Sequence, residues 1–220
     1  MHLITPRADW TLLVPLKSSV RGKSRIDVDP GLRGRLAFAM AADTIAAASA
    51  APGVGLVLVV AEDAADGVRL AELPGVRIQL TTTTGLNEAI RDGLAGSGAA
   101  AGDPVAVLPG DLPSLTADEL GAALAAARAH PTVVVADRQG TGTTLLASTT
   151  PGRLRPHYGS DSLRRHVLGG AVLLNLPVAS GLRRDVDQVG DLEGVTGRRT
   201  LAVLDAAGWG AALCDARPSG

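Results

Sequence analysis

The stretch Val105-Ala-Val-Leu-Pro-Gly-Asp-Leu-Pro113 decides the reading of the fold. Four apolar residues read as a buried strand, and Pro109-Gly110 ends regular pairing. One carboxylate, Asp111, is then held just where the strand stops. In open α/β sheets ligands gather outside the carboxyl ends of strands. A hard oxygen donor at that place suits Mg2+ carrying phosphates. An aspartate that merely turns the chain accounts for the same residues, because Asp favours turns for local reasons.

Working outward, apolar and β-branched runs recur at 10–16, 55–61, 77–80, 132–136, 142–147 and 171–176. Ala/Leu-rich segments of helical length separate the early ones, at about 32–51, 64–73, 86–95 and 116–129. Thr116 with Glu119 three residues later has the form of a capping box. Strands alternating with helices imply right-handed βαβ crossovers and a mainly parallel sheet. After Arg138 the rhythm changes to two closely spaced strands, then helical pieces near 161–167 and 191–206. The expectation is one α/β domain over 10–210, with a mixed, mainly parallel central sheet flanked by helices. A short segment, 1–9, precedes it, and a flexible tail, 211–220, follows.

Composition narrows the partners. The chain has 220 residues, a hydrophobic fraction of 46% and only 2% aromatic residues. Few aromatic rings argue against a stacking platform for single-stranded nucleic acid. A formal net charge of -1 lacks the basic footprint of a nucleic-acid binder. No apolar run reaches the roughly 18 residues of a membrane span, and the N-terminus lacks the apolar core of a signal peptide. Cys214 is the only cysteine, so neither an intrachain disulfide nor a thiolate metal site is expected. The four histidines, His2, His130, His157 and His166, lack zinc-ligand spacing. A cytoplasmic protein with a small anionic substrate, and no membrane or nucleic-acid partner, fits these bounds; they leave a homodimer open.

Several segments carry candidate chemistry. Gly22-Lys23-Ser24 looks like the end of a P-loop, but position 17 is Lys where the motif needs Gly, and Asp27, Asp29 and Pro30 follow almost at once. What survives is a basic loop of Lys17, Arg21, Lys23 and Arg25, suited to a polyphosphate or else simply solvated. Thr81-Thr-Thr-Thr-Gly-Leu-Asn87, after the third strand and before a helix, offers hydroxyls, a Gly and an Asn amide for a polar base edge, or an ordinary helix cap. In Asp137-Arg-Gln-Gly-Thr-Gly-Thr-Thr144 the glycines let backbone amides approach an anion; the same residues suit a hairpin turn between two strands, and both can hold at once. His157-Tyr-Gly-Ser-Asp-Ser162 opens a helix whose free amides favour an anion, unless Ser160 or Asp161 caps it. In an extended Arg184-Asp-Val-Asp187, Asp185 and Asp187 point the same way and repel one another unless a cation lies between them. If they approach Asp111, three carboxylates converge on a metal.

Taken in order, these motifs resemble the 2-phospho-L-lactate and phosphoenolpyruvate guanylyltransferases of coenzyme F420 biosynthesis. The resemblance runs over about residues 10–207. It rests on Val14-Pro-Leu-Lys17 with Lys23-Ser-Arg25, Gly85-Leu-Asn87, Gly110-Asp-Leu-Pro113, Asp137-Arg-Gln-Gly-Thr-Gly-Thr143, Tyr158-Gly-Ser-Asp-Ser162 with His166, and Asp185-Val-Asp187 followed by Asp191-Leu192. It implies a GT-A-like nucleotidyltransferase fold and Mg2+ on Asp111, Asp185 and Asp187. It implies further that Thr143, Gly159 and Ser162 bind the phosphorylated acid. Lys17 and Lys23 would meet the GTP phosphates, Gly85 and Asn87 would lie near guanine, and Lys23, Arg25 and Asp111 would serve catalysis. Phosphoenolpyruvate is favoured as acceptor; 2-phospho-L-lactate and 3-phosphoglycerate stay open. The rival readings are a sugar-phosphate nucleotidyltransferase of the same fold and a non-catalytic nucleotide-binding module.

Overall fold

Two parallel strands, β1 (Trp10–Leu16) and β4 (Val105–Val107), lie side by side at the centre of a seven-stranded sheet. The computed structural model describes residues 9–19, 23, 25–100 and 102–209. The expected N-terminal segment up to residue 8, the tail beyond residue 209 and Arg21 lie outside these. From β1 the chain passes through α1 (Pro30–Ala50) to β2 (Val54–Ala61), then through α2 (Ala64–Leu70) to β3 (Val76–Leu80). It returns through α3 (Leu86–Gly96) to β4, on the other side of β1. After α4 (Ala117–Ala127), β5 (Thr132–Ala136) and β6 (Thr143–Ser148) form an antiparallel pair, and β6 also runs antiparallel to β4. Helix α5 (Ser162–Leu168), the short edge strand β7 (Val172–Leu173) and α6 (Arg198–Ala206) complete the fold. The spatial order is β3-β2-β1-β4-β6-β5-β7. The mixed, mainly parallel sheet of a single α/β domain is the architecture anticipated.

The central strands read as unbroken apolar runs because both of their faces are covered. Alternate residues point to opposite sides: Leu12, Val14, Ala106 and Leu108 pack with α1 and α4, whereas Leu13, Val105 and Val107 pack with Ala89 and Ile90 of α3. A third cluster holds Ile26 and Val186 against Leu32, Leu36 and Met40 of α1. It draws the loop after β1 and the Asp185–Asp187 segment onto the same helix.

Caps fix the helix starts. Asp29 accepts from the Leu32 amide at 2.9 Å, with Pro30 opening α1. This start, well after Lys23, agrees with rejecting a P-loop, which needs its helix at the Lys-Ser pair. The Thr116/Glu119 capping box is present in full. Two expectations need correction. The strand expected over 171–176 is only Val172–Leu173. The helix expected over 191–206 divides into a 3-10 turn, Val189–Leu192, and α6. Asp43, reaching across from α1, accepts from the Arg199 and Thr200 amides at 3.1 and 2.9 Å and so caps α6 at its actual start. No helix among the described residues is long and apolar enough to cross a membrane.

Candidate active site

The chain leaves β1 toward β2 on one side and comes back to β4 on the other, so the β1/β4 boundary is a topological switch point. Crevices at such points, beyond the carboxyl ends of the strands, are where α/β sheets bind ligands. Here a cleft of about 420 Å3 opens, lined by Leu16, Lys17, Lys23, Arg25, Leu86, Pro109, Gly110, Asp111 and Asp187. That volume falls within the ordinary range for small-molecule sites.

Asp111 is fixed from two sides. The Leu112 amide donates to Thr44 Oγ1 at 3.0 Å, and that hydroxyl donates to Met40 O of α1 at 2.8 Å. On the other side, the Val186 amide donates to the Asp111 carbonyl at 3.0 Å. A backbone hydrogen bond therefore brings the Asp185–Asp187 segment alongside Asp111, across a long sequence separation. Asp191 secures the segment by accepting from the Asp187 and Gln188 amides at 3.0 and 2.9 Å.

The three carboxylates share a neighbourhood but are not a ready-made metal cage. Among the described residues no group of three or more His, Cys, Asp or Glu is disposed to hold a metal ion. Lys23 lies among them. Its ammonium donates to Asp111 Oδ2 and, at 2.8 Å, to Asp187 Oδ1, so a side-chain cation separates these two acids. Lys23 reaches them from a backbone with φ of 55°, uncommon for a residue bearing a Cβ. Burial alone would push its pKa down; the charges of Asp111 and Asp187 outweigh that and hold it above the usual lysine range. Asp185 responds in the opposite sense. Burial, then the charges of Asp111, Asp187 and Asp137, push its carboxyl up to about 7. Oδ1 of Asp111 and Oδ1 of Asp185 are buried without a hydrogen-bond partner. Two such oxygens in one acidic neighbourhood are donors suited to a hard cation.

A second cluster lies where β6 begins. Thr143 Oγ1 is 2.9 Å from His166 Nδ1 and 3.1 Å from the Ser162 hydroxyl, and all three side chains are buried. Gly159, in the loop before α5, takes φ of +121°, which glycine adopts at little cost. The structure thus joins Thr143 to Ser162 and to His166; the His166 contact to Thr143 spans 23 positions and has no local sequence signal.

Three motif readings change. Asn87 does not present its amide to the cleft. Its Oδ1 accepts from the Tyr158 amide at 2.8 Å and its Nδ2 donates to the Tyr158 carbonyl at 3.0 Å, so it clasps the loop that carries Gly159. Leu86, its neighbour, lines the cleft instead, and Gly85 precedes α3 at φ of +105°. In the 137–144 segment, the Thr141 and Gly142 amides donate to the Asp137 carboxylate at 2.9 and 2.8 Å. Those two amides close a hairpin turn on the segment's own carboxylate. Asp161 stands at the N-cap of α5 with φ of 53° and makes no side-chain cap. Sequence reasoning also missed Arg183, whose guanidinium binds the carbonyls of Ala136, Asp137 and Leu176 and so fixes the end of β5.

Comparison with known proteins supplies the family. Residues 32–173 match the MobA-like NTP transferase domain. The phosphoenolpyruvate guanylyltransferase of Streptomyces coelicolor is 44% identical, over 88% of this chain and 95% of its own. That of Geodermatophilus obscurus is 40% identical, over 96% and 97%. Among solved structures, a putative nucleotide-diphospho-sugar transferase from Desulfovibrio desulfuricans G20 superposes with a TM-score of 0.66 at 17% identity, covering 94% of this chain and 96% of the other; it shares the fold. With its switch-point crevice, paired acids and identity along nearly its whole length, the chain belongs to the phosphoenolpyruvate guanylyltransferase family of nucleotidyltransferases.

Proposed function

We propose that the protein transfers GMP from GTP to the phosphate of a small phosphorylated carboxylic acid, phosphoenolpyruvate foremost, and releases pyrophosphate. The names of its relatives support the nucleotide and the acceptor. One observation carries the reading in this chain: Lys23 held between Asp111 and Asp187 in the β1/β4 crevice, with Lys17 and Arg25 on the same lining. Cations and acids so interleaved can take a polyphosphate and a counter-cation together.

An oxygen of the acceptor phosphate attacks the α-phosphorus of GTP. A new P–O bond forms, the bond from the α-phosphorus to the oxygen bridging to the β-phosphate breaks, and its electron pair leaves with pyrophosphate. The attacking phosphate is already an anion, so no side-chain nucleophile is required. Catalysis is then positioning and charge neutralisation. Lys17, Lys23 and Arg25 oppose the charge of the departing pyrophosphate. Gly85 and Leu86 border the guanine, while Thr143, Gly159 and Ser162 hold the acceptor acid. Asp111, Asp185 and Asp187 would hold a divalent cation, Mg2+ in this proposal, which would neutralise charge between the reacting phosphates. Coenzyme F420 biosynthesis is the pathway this reaction would serve.

The test is a magnesium-dependent pyrophosphate-release assay. GTP, ATP, CTP and UTP are each offered with phosphoenolpyruvate, 2-phospho-L-lactate, 3-phosphoglycerate and a hexose 1-phosphate. GTP with phosphoenolpyruvate is expected to be fastest. Faster release with the sugar phosphate would reassign the protein to sugar-nucleotide synthesis.

A further inference from the structure

Both ring nitrogens of His166 are engaged, and the partners differ in kind. The backbone N–H of His157 donates to Nε2 at 2.9 Å, so Nε2 carries no proton. In a neutral ring the proton then sits on Nδ1, 2.9 Å from Thr143 Oγ1. The surroundings favour that neutral form: burial, then His157 and Arg165, push the imidazolium pKa down to about 4. Ser162 donates its hydroxyl to the same Thr143 oxygen at 3.1 Å. Thr143 Oγ1 thereby accepts two hydrogen bonds, which uses both of its lone pairs. Its own hydrogen is left without an acceptor among the described residues, in a side chain that is buried. A buried donor with no partner is rare in folded proteins and calls for a physical reason, of which a catalytic or binding role is one.

We propose that His166 is a positioning residue for the transfer reaction: by donating from Nδ1 it turns the Thr143 hydroxyl into an obligate donor toward an anionic oxygen of the acceptor acid. The inference rests on the reaction assigned above. If His166 accepted instead, the Thr143 hydrogen would turn to the imidazole and a lone pair would face the substrate anion. The direction of one buried proton therefore decides whether Thr143 attracts or repels a carboxylate or phosphate oxygen. The chain that sets it starts at Asn87, which clasps Tyr158. Tyr158 adjoins His157, whose amide fixes the tautomer, and its ring meets the His166 ring edge-on at 5.2 Å.

The experiment pairs two isosteric variants with a spectroscopic measurement on the intact protein. His166→Asn can still donate to Thr143, whereas His166→Asp can only accept; both lose the Nε2 contact alike. Pyrophosphate release is measured as KM for GTP and KM for phosphoenolpyruvate, with thermal melting as the check on folding. We expect the acceptor KM of His166→Asp to exceed that of His166→Asn by about tenfold or more, the effect of one hydrogen-bond-scale interaction, with GTP KM alike in the two. In wild-type protein, 15N NMR should report an unprotonated Nε2 at pH 7. An Nε2-protonated ring, equal acceptor KM in the two variants, or parallel losses for GTP and acceptor would overturn the proposal. Failure of the wild type to release pyrophosphate with any phosphorylated acid would instead overturn the assigned reaction. The proposal's own arms then become the NMR tautomer and equilibrium binding of phosphoenolpyruvate to the two variants.

Discussion

Asn87→Ala distinguishes a residue that reads guanine from one that clasps a loop. The Asn87 side chain makes two hydrogen bonds to the Tyr158 backbone, at 2.8 and 3.0 Å. Each such bond contributes about 1 kcal/mol net, and more when its loss strands a buried partner. Tyr158 is buried, so the loss comes to about 2–3 kcal/mol. Alanine is the better helix former by about 0.6 kcal/mol, and Asn87 lies in the first turn of α3, which offsets part of it. A net loss of roughly 2 kcal/mol lowers Tm by about 4–8 °C in a domain of this size. If the acceptor binds only when the 157–160 loop is seated, the same energy raises acceptor KM by about tenfold or more. Scanning calorimetry and steady-state pyrophosphate release, with each substrate varied at saturation of the other, check both numbers. GTP KM should stay within about threefold, since a loop clasp has no contact with the nucleotide to lose. A tenfold rise in GTP KM with unchanged Tm and acceptor KM would return Asn87 to the base and refute the clasp.

Other perturbations separate charge from packing. Asp111→Asn should lower turnover by about 10²–10³, the usual cost of removing one electrostatic contributor, without lowering Tm in metal-free buffer; pyrophosphate release near the wild-type rate would remove Asp111 from the site. Asp185→Asn should stabilise the protein at pH 8. The folded-state pKa of Asp185 is raised to about 7 from an ordinary 3.8, so its contribution is fully present below about pH 4 and lost as pH rises through 7. An uncharged amide escapes that loss, on the order of 1–2 kcal/mol after discount for partial exposure, and urea titrations at pH 4 and pH 8 should show the gain only at the higher pH. For His166, whose folded-state pKa is depressed to about 4 from 6.5, stability is present above pH 6.5 and falls as pH drops toward 4. The slope attributable to it is at most about 1.4 kcal/mol per pH unit, and the difference between wild-type and His166→Asn unfolding curves across that window isolates it; a constant difference would contradict the buried neutral ring.

What could be read in the sequence was what local chemistry dictates. The apolar run ahead of Pro109-Gly110 gave up a central strand because both of its faces are covered, and Thr116 with Glu119 gave up a helix start because both ends of a capping box lie within one turn. Asp111 was legible for the same reason: a carboxylate immediately after a buried strand has few places to go. Asp185 and Asp187 were legible as an acidic pair, but the cation between them and Asp111 was legible only as a type. Lys23 meets Asp111 across 88 positions and Asp187 across 164, and no periodicity encodes which cation answers which acid. Asn87 shows the failure most plainly. An amide at a helix start near a crevice is chemically fit to read a base, yet a backbone 71 positions away takes both of its polar atoms.

The same contrast explains why a lysine and three acids can share the crevice. Three carboxylates brought together by the Val186–Asp111 backbone bond would repel one another. Two responses to that repulsion are visible: Lys23 offsets part of the charge of Asp111 and Asp187, and the pKa of Asp185 rises. Each is reversible by a cation. A divalent ion held by Asp111 and Asp185, each of which has an oxygen without a hydrogen-bond partner, would favour ionised Asp185 and weaken the hold of the acids on Lys23, freeing its ammonium for a phosphate. Metal binding should therefore release about one proton per site near pH 6, where Asp185 is mostly protonated, and almost none at pH 8.5. Calorimetric titration of Mg2+ or Mn2+ into nucleotide-free protein, in buffers of different ionisation enthalpy, measures that proton count. Equal release at both pH values, or release that persists in Asp185→Asn, would show that Asp185 does not bind the cation as a ligand.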